Sequence, residues 1–142
     1  MNIFDIFSNR KNLLFWCYIL LLAMFVLSGI NKIFNYDNTV LSLSNKINPI
    51  INLDNNIYKL TIVLVIILEL VAPYIIIKNS YNNKHDKYSL YSGYLLIIFT
   101  ILATLIYHPL HLNNYMKSLP FWSNMSLLAG LILMTSNIKN NN

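Results

Sequence analysis

LTIVLVIILELVAPYIII, residues 60–77, lies between Lys59 and Lys78 and holds a single charge, Glu69. At ~1.5 Å per helical residue it is about 27 Å long. A hydrocarbon core is roughly 30 Å thick, so such a segment spans it with little to spare. Three other stretches read the same way. LLFWCYILLLAMFVLSGI, residues 13–30, is uncharged between Lys11 and Lys32. An apolar run from Tyr88 to Tyr107 follows Lys87 and ends at His108-Pro109. SLPFWSNMSLLAGLILMTSNI, residues 118–138, carries no charge between Lys117 and Lys139. The expected architecture is all-α, a polytopic membrane four-helix bundle forming one membrane domain over 1–142. Its transmembrane helices are expected at about 13–32, 59–78, 88–108 and 118–137.

Composition agrees. Of 142 residues, 56% are hydrophobic and 11% charged, and mean hydropathy is +0.52. A soluble domain of this size could not cover so much apolar surface. The net charge of +5 is scattered as single Lys and Arg residues, which excludes a nucleic-acid stripe and points instead to topology signals at helix ends. Arg10, Lys11, Lys78, Lys84, Lys87 and Lys139 share one side in a four-span reading, against Lys32, Lys46, Lys59 and Lys117. That bias favours both termini in the cytoplasm. The first apolar run exceeds the core of a cleavable signal peptide and is read as a retained span.

Aromatic residues cluster near the span ends. Trp16, Tyr18, Tyr88, Tyr91, Tyr107, Phe121 and Trp122 are expected to anchor at the lipid interface. Pro120 suits a first helical turn. In the longest connection, TVLSLSNKINPIINL (residues 39–53) alternates apolar and polar residues loosely. It is expected to form a surface amphipathic helix ending at or before Asn48, because Pro49 follows. Ser89, Ser92, Gly93, Thr100 and Ala103 on the third span, and Ser123, Ser126 and Gly130 on the fourth, recur near helical spacing. Such small faces let helices approach closely in lipid.

Ser28-Gly29-Ile30-Asn31-Lys32-Ile33-Phe34 resembles the small-Gly-x-x-Lys-x-Phe signature of DoxX-like membrane proteins. Leu68-Glu69-Leu70, Ala103-Thr104-Leu105-Ile106-Tyr107-His108-Pro109 and the run from Phe121 to Leu131 follow in the same order, so the resemblance covers about Leu13 to Met134. One departure is Ala129, where the family more often has a second glycine, and packing there should loosen slightly. The resemblance implies a four-helix membrane bundle and leaves the activity open. Its relatives include subunits of thiosulfate:quinone oxidoreductase, membrane partners of thiol and oxidant-defence enzymes, and a receptor-assembly chaperone.

The chemistry-bearing residues are few. Cys17 stands alone, so an internal disulfide or CxxC pair is excluded, and it is expected to be buried. His85, His108 and His111 do not make a metal set, since His85 falls on the opposite loop. Hydrolase, P-loop and dinucleotide motifs are absent, and no catalytic residue is assigned. The leading expectation is a non-catalytic accessory or assembly partner of other membrane proteins, embedded in the lipid bilayer and not an enzyme on its own. The alternatives are a membrane subunit of a quinone-linked oxidoreductase, with quinone as cofactor, and proton or ion conduction. Lys32, His108, Asn124 and Trp122 are the candidate polar pocket, because rise counts place Lys32 and His108 at one depth near the non-cytoplasmic interface. Glu69 is the intramembrane acid. The same counts put it roughly 16 Å from Lys32 in depth, too far for a direct ion pair. It is therefore expected to be largely protonated, with Tyr94, Thr100 or Ser126 as hydrogen-bond partners.

Overall fold

The computed structural model describes residues 10–51, 53–82, 86–110 and 115–140. Five helices occur among them: α1 (Arg10–Phe34), α2 (Tyr36–Ile47), α3 (Asn55–Tyr81), α4 (Lys87–Tyr107) and α5 (Tyr115–Asn140). Four of them, all but α2, are long and apolar enough to cross a bilayer. The chain is a multi-pass membrane protein built as an all-α bundle. Packing follows chain order: α1 lies on α3, α3 on α4 and α4 on α5, with a smaller contact between α1 and α5.

α3 and α4 start where a side chain takes up an orphan N–H group. Asp54 caps α3 by accepting from the Asn56 N–H at 3.2 Å, and Asp86 caps α4 through the Tyr88 N–H. The first cap starts α3 several residues before the expected 59. At the other end α3 runs on to Tyr81, so both its ends outreach the apolar window. α5 begins at Tyr115, which places Pro120 inside the helix rather than in its first turn.

Two cores form. Tyr18, Leu22 and Phe25 from α1 meet Ala72 and Ile76 of α3, Leu96 of α4, and Leu131, Met134 and Ile138 of α5. This larger cluster occupies the half of the bundle that contains the start of α1 and the end of α5. Close backbone approach supplies the packing that lipid does not drive. A Cβ built on Gly93 would lie 2.5 Å from the Thr135 hydroxyl, so α4 and α5 touch there without a side chain between them. Tyr18 belongs to this core and accepts a 2.7 Å hydrogen bond from Asn137, so it is not an interface anchor. Cys17, next to it, is exposed rather than buried.

The second core joins Val40 and Leu43 of α2 to Tyr58 and Ile62 of α3, with Tyr107 packed beside them. α2 ends at Ile47 with Asn48 as its C-cap, as Pro49 requires. Its apolar face is turned onto the bundle. The Tyr36 hydroxyl donates to the Lys59 carbonyl at 3.0 Å, and the Tyr58 hydroxyl donates to Asn48 Oδ1 at 2.6 Å. Both ends of α2 thus reach the same turn of α3, so α2 crosses that helix instead of running beside it.

The small faces divide. Ser89, Ser92, Gly93 and Thr100 are buried on α4, as helix contact predicts. Ser123 and Ser126 on α5 are exposed, because the buried face of that helix is set by Leu131, Met134, Thr135 and Ile138, whereas Gly130 approaches α1 closely, a Cβ there meeting Leu21 at 2.8 Å.

Candidate functional site

The buried face of α3 is Glu69, Ala72, Pro73 and Ile76, spaced at three and four residues. Pro73 lacks the N–H that would bond the Glu69 carbonyl one turn back. Against this face stands Gly29 of α1. A Cβ there would meet Glu69 Cβ at 3.2 Å and Leu70 Cδ2 at 3.1 Å. The absence of a side chain at Gly29 thus sets α1 directly on the acid.

Lys32 follows three residues later, and its side chain turns back. Helical Cα–Cβ bonds tilt toward the helix N-terminus, so a lysine near the end of α1 is aimed at the preceding turn, toward the membrane centre. Its Nζ donates to Ser28 Oγ at 2.5 Å and to both oxygens of Glu69, at 2.8 and 2.9 Å. Ser28 Oγ in turn donates to Glu69 Oε1 at 3.1 Å. Glu69 is 2% exposed and the Lys32 side chain 20%, so the pair is largely withdrawn from solvent.

This overturns the expectation for Glu69. Its carboxyl meets the Lys32 ammonium and the Ser28 hydroxyl, not Tyr94, Thr100 or Ser126. Thr100 bonds instead to the carbonyl of Leu96, and Ser126 to that of Trp122, each one turn back on its own helix, while Tyr94 is exposed. The rise count failed because it set the ends of the apolar windows level, Leu13 opposite Ile77. The rings of Phe15 and Tyr81 pack 5.9 Å apart, so Ile77 faces a residue about six positions further along α1, a shift of about 9 Å. Gly29 opposite Glu69 gives a larger shift at the other end, about 12 Å, which sets Ile77 level with Leu21. The three residues from Gly29 to Lys32, about 4.5 Å of rise, are covered by the lysine stem.

Lys32, Glu69, His108 and Asn124 line one cavity of about 590 Å³. α1 contributes Phe25 and Ser28, α2 contributes Thr39 and Leu43, α3 contributes Ile62 and Val65, α4 contributes Phe99 and Ala103, and α5 contributes Leu127. His108 is the exposed C-cap of α4, its backbone N–H donating to the Thr104 carbonyl at 2.9 Å. Trp122 is not among the lining residues. It is 53% exposed and packs edge-on against Phe121 at 5.3 Å. It stands two positions from Asn124, about 200° around a helix, so the two cannot face the same way.

Ser28 is the site residue that sequence reasoning assigned to packing alone. The readable signal was its spacing, since Ser28 and Lys32 stand at i and i+4 on one helix face. The α2 wall of the cavity had no sequence signal. His85 and His111 lie outside the described residues, and among those described no group of three or more His, Cys, Asp or Glu side chains could hold a metal. Comparison of the chain with family models, with curated proteins and with solved structures finds no match.

Proposed function

We propose that this chain is a non-catalytic accessory protein of the DoxX-like kind, which works by associating with other membrane proteins and keeps both termini on the cytoplasmic side. The observation that supports it most is the commitment of Glu69. A proton carrier needs a carboxyl free to change state, and this one is held by an ammonium and a hydroxyl. Such a pair ties α1 to α3. The orientation is supported by the Lys and Arg count, six on the side of Arg10 and four (Lys32, Lys46, Lys59 and Lys117) on the other.

The test is a tagged chain extracted from native membranes in mild detergent, together with the purified chain in liposomes. The accessory reading expects a membrane-protein partner to be retained in fixed ratio, and proton flux no greater than in empty vesicles. Proton flux that Glu69→Gln abolishes would overturn it.

The cavity favours a second reading, a subunit of a quinone-linked oxidoreductase. A hollow of about 590 Å³ with polar side chains at one side and Phe25 and Phe99 among its walls is of the size and character of a small-molecule site. Extraction of the natively purified chain and assay for ring cofactors tests it, and lack of a stoichiometric quinone sinks it.

A further inference from the structure

We infer that the hollow is a lateral-access site for an uncharged amphiphile drawn from the bilayer, a molecule with a hydroxyl- or carbonyl-bearing head and a hydrocarbon tail. The inference is independent of the accessory reading and widens the ligand class of the quinone reading, whose cavity it shares.

Charge selects the head. The Lys32 ammonium has three N–H groups, and three acceptors already surround it: Ser28 Oγ and the two Glu69 oxygens. The pair offers no spare donor and no net charge. A carboxylate or phosphate head would have to displace Glu69 from Lys32, and an ammonium head would have to displace Lys32 from Glu69. The Asn124 amide and the His108 imidazole also line the cavity, and neither side chain is hydrogen-bonded to another described residue. Those groups can pair with a hydroxyl or carbonyl without breaking anything.

The walls select the tail and its route. Phe25, Phe99 and Leu127 present hydrocarbon to the interior. Met24 and Leu102 line the same cavity, yet they are 61% and 53% exposed on the outer surface of apolar spans. Residues that face both inward and outward mark a mouth. Met24 stands eight residues before Lys32, about 12 Å closer to the middle of the span, so the mouth opens toward hydrocarbon rather than toward water. Below it the bundle shuts, since a Cβ on Gly130 would meet Leu21 at 2.8 Å. A tail can enter sideways while its head comes to rest beside Asn124 and His108.

Two sources supply this chemistry, neutral glycerolipids and prenyl quinones. The probes are a monoacylglycerol with a diazirine in its chain, the fatty acid with the same chain, and a diazirine-bearing alkyl quinone. Each is irradiated with the full chain in phosphatidylcholine nanodiscs, and labelled peptides are read by mass spectrometry. The monoacylglycerol should label the segments around Phe25, Phe99 and Leu127 about tenfold more than the fatty acid, the ratio set by the cost of bringing an uncompensated charge to a neutral site. Ala103→Trp, which fills the hollow from the α4 wall, should reduce labelling about tenfold. Asn124→Leu keeps the space and removes one head contact, and should reduce it about fivefold. It serves where the tryptophan variant fails to fold. Labelling by the quinone alone, sensitive to both variants, keeps the site and names its source. Equal labelling by the fatty acid, or labelling that neither variant moves, overturns the proposal. If no probe labels the cavity while a partner protein still co-purifies, the lateral site is wrong and the accessory reading stands.

Discussion

The half of the bundle around Leu22, Leu96 and Leu131 is filled, each of those leucines being fully buried, with Ile76 beside them at 1% exposure. The half beneath α2 is hollow, and an ion pair holds α1 to α3 there. Lipid tails are as apolar as leucine, so neither half gains from hiding hydrocarbon. The filled half coheres by contact density, with α4 and α5 touching at Gly93 and Thr135. The hollow half coheres by the α2–α3 cluster, by the close approach of α1 to α3 at Gly29 and by the Lys32–Glu69 tie, and the volume beside them stays open. A membrane bundle can therefore keep a cavity where the contacts around it hold the helices.

The largest effect should come from cutting that tie. Glu69→Gln strands the Lys32 ammonium and should cost about 3 kcal/mol, the low end for a buried pair because Lys32 is partly exposed. The double variant Lys32→Met with Glu69→Leu should recover to within about 1 kcal/mol of the parent. Unfolding in detergent measures both, and a double variant no better than the single one would show that the loss does not come from the stranded charge.

In the filled half, Leu96→Ala should cost about 2 kcal/mol, a cavity term with little transfer term in lipid. Val65→Ala, on the wall of the hollow, removes atoms that already border empty space and should cost under about 0.5 kcal/mol. Equal losses at the two positions would erase the contrast between the halves.

Gly93→Ala forces Thr135 away from α4 and should cost about 1 kcal/mol. Gel-shift of cross-linked α4–α5 cysteine pairs would show the helices parting. Tyr18→Phe, which gives up the bond to Asn137, should cost about 0.6 kcal/mol, the mean for interhelical hydrogen bonds in bilayers. The smallest effect is expected at Thr135→Val. The Thr135 hydroxyl is buried without a hydrogen-bond partner among the described residues, so the change should be neutral or slightly stabilising in the same unfolding assay.

The four spans were legible because an uncharged run of that length between lysines has few other uses, and their ends shifted, with α3 starting earlier under its Asp54 cap. Lys32 and His108 were readable as polar residues at one depth, with Asn124 further inward, and all three line one cavity with Glu69. The ion pair was not readable from rise counts. Its register depends on Gly29 meeting Glu69 and on Phe15 meeting Tyr81, contacts between helices that no single-helix period encodes. Trp122 was misplaced for a related reason. Depth along α5 was known, but direction around it depended on which face Leu131 and Met134 would bury.

During synthesis α1 reaches the membrane before α3 exists, with Lys32 near its trailing end and no partner for it. Glu69 arrives 37 residues later, on a segment whose insertion alone would carry a penalty of roughly 2.5 to 3.5 kcal/mol for a carboxylate at mid-span. Meeting Lys32 removes that penalty for both. The first two spans are therefore best delivered as a hairpin, with α1 waiting at the exit of the translocation channel until α3 joins it. α4 and α5 carry no Asp, Glu, Lys or Arg between Lys87 and Lys117 or between Lys117 and Lys139, and can enter one at a time.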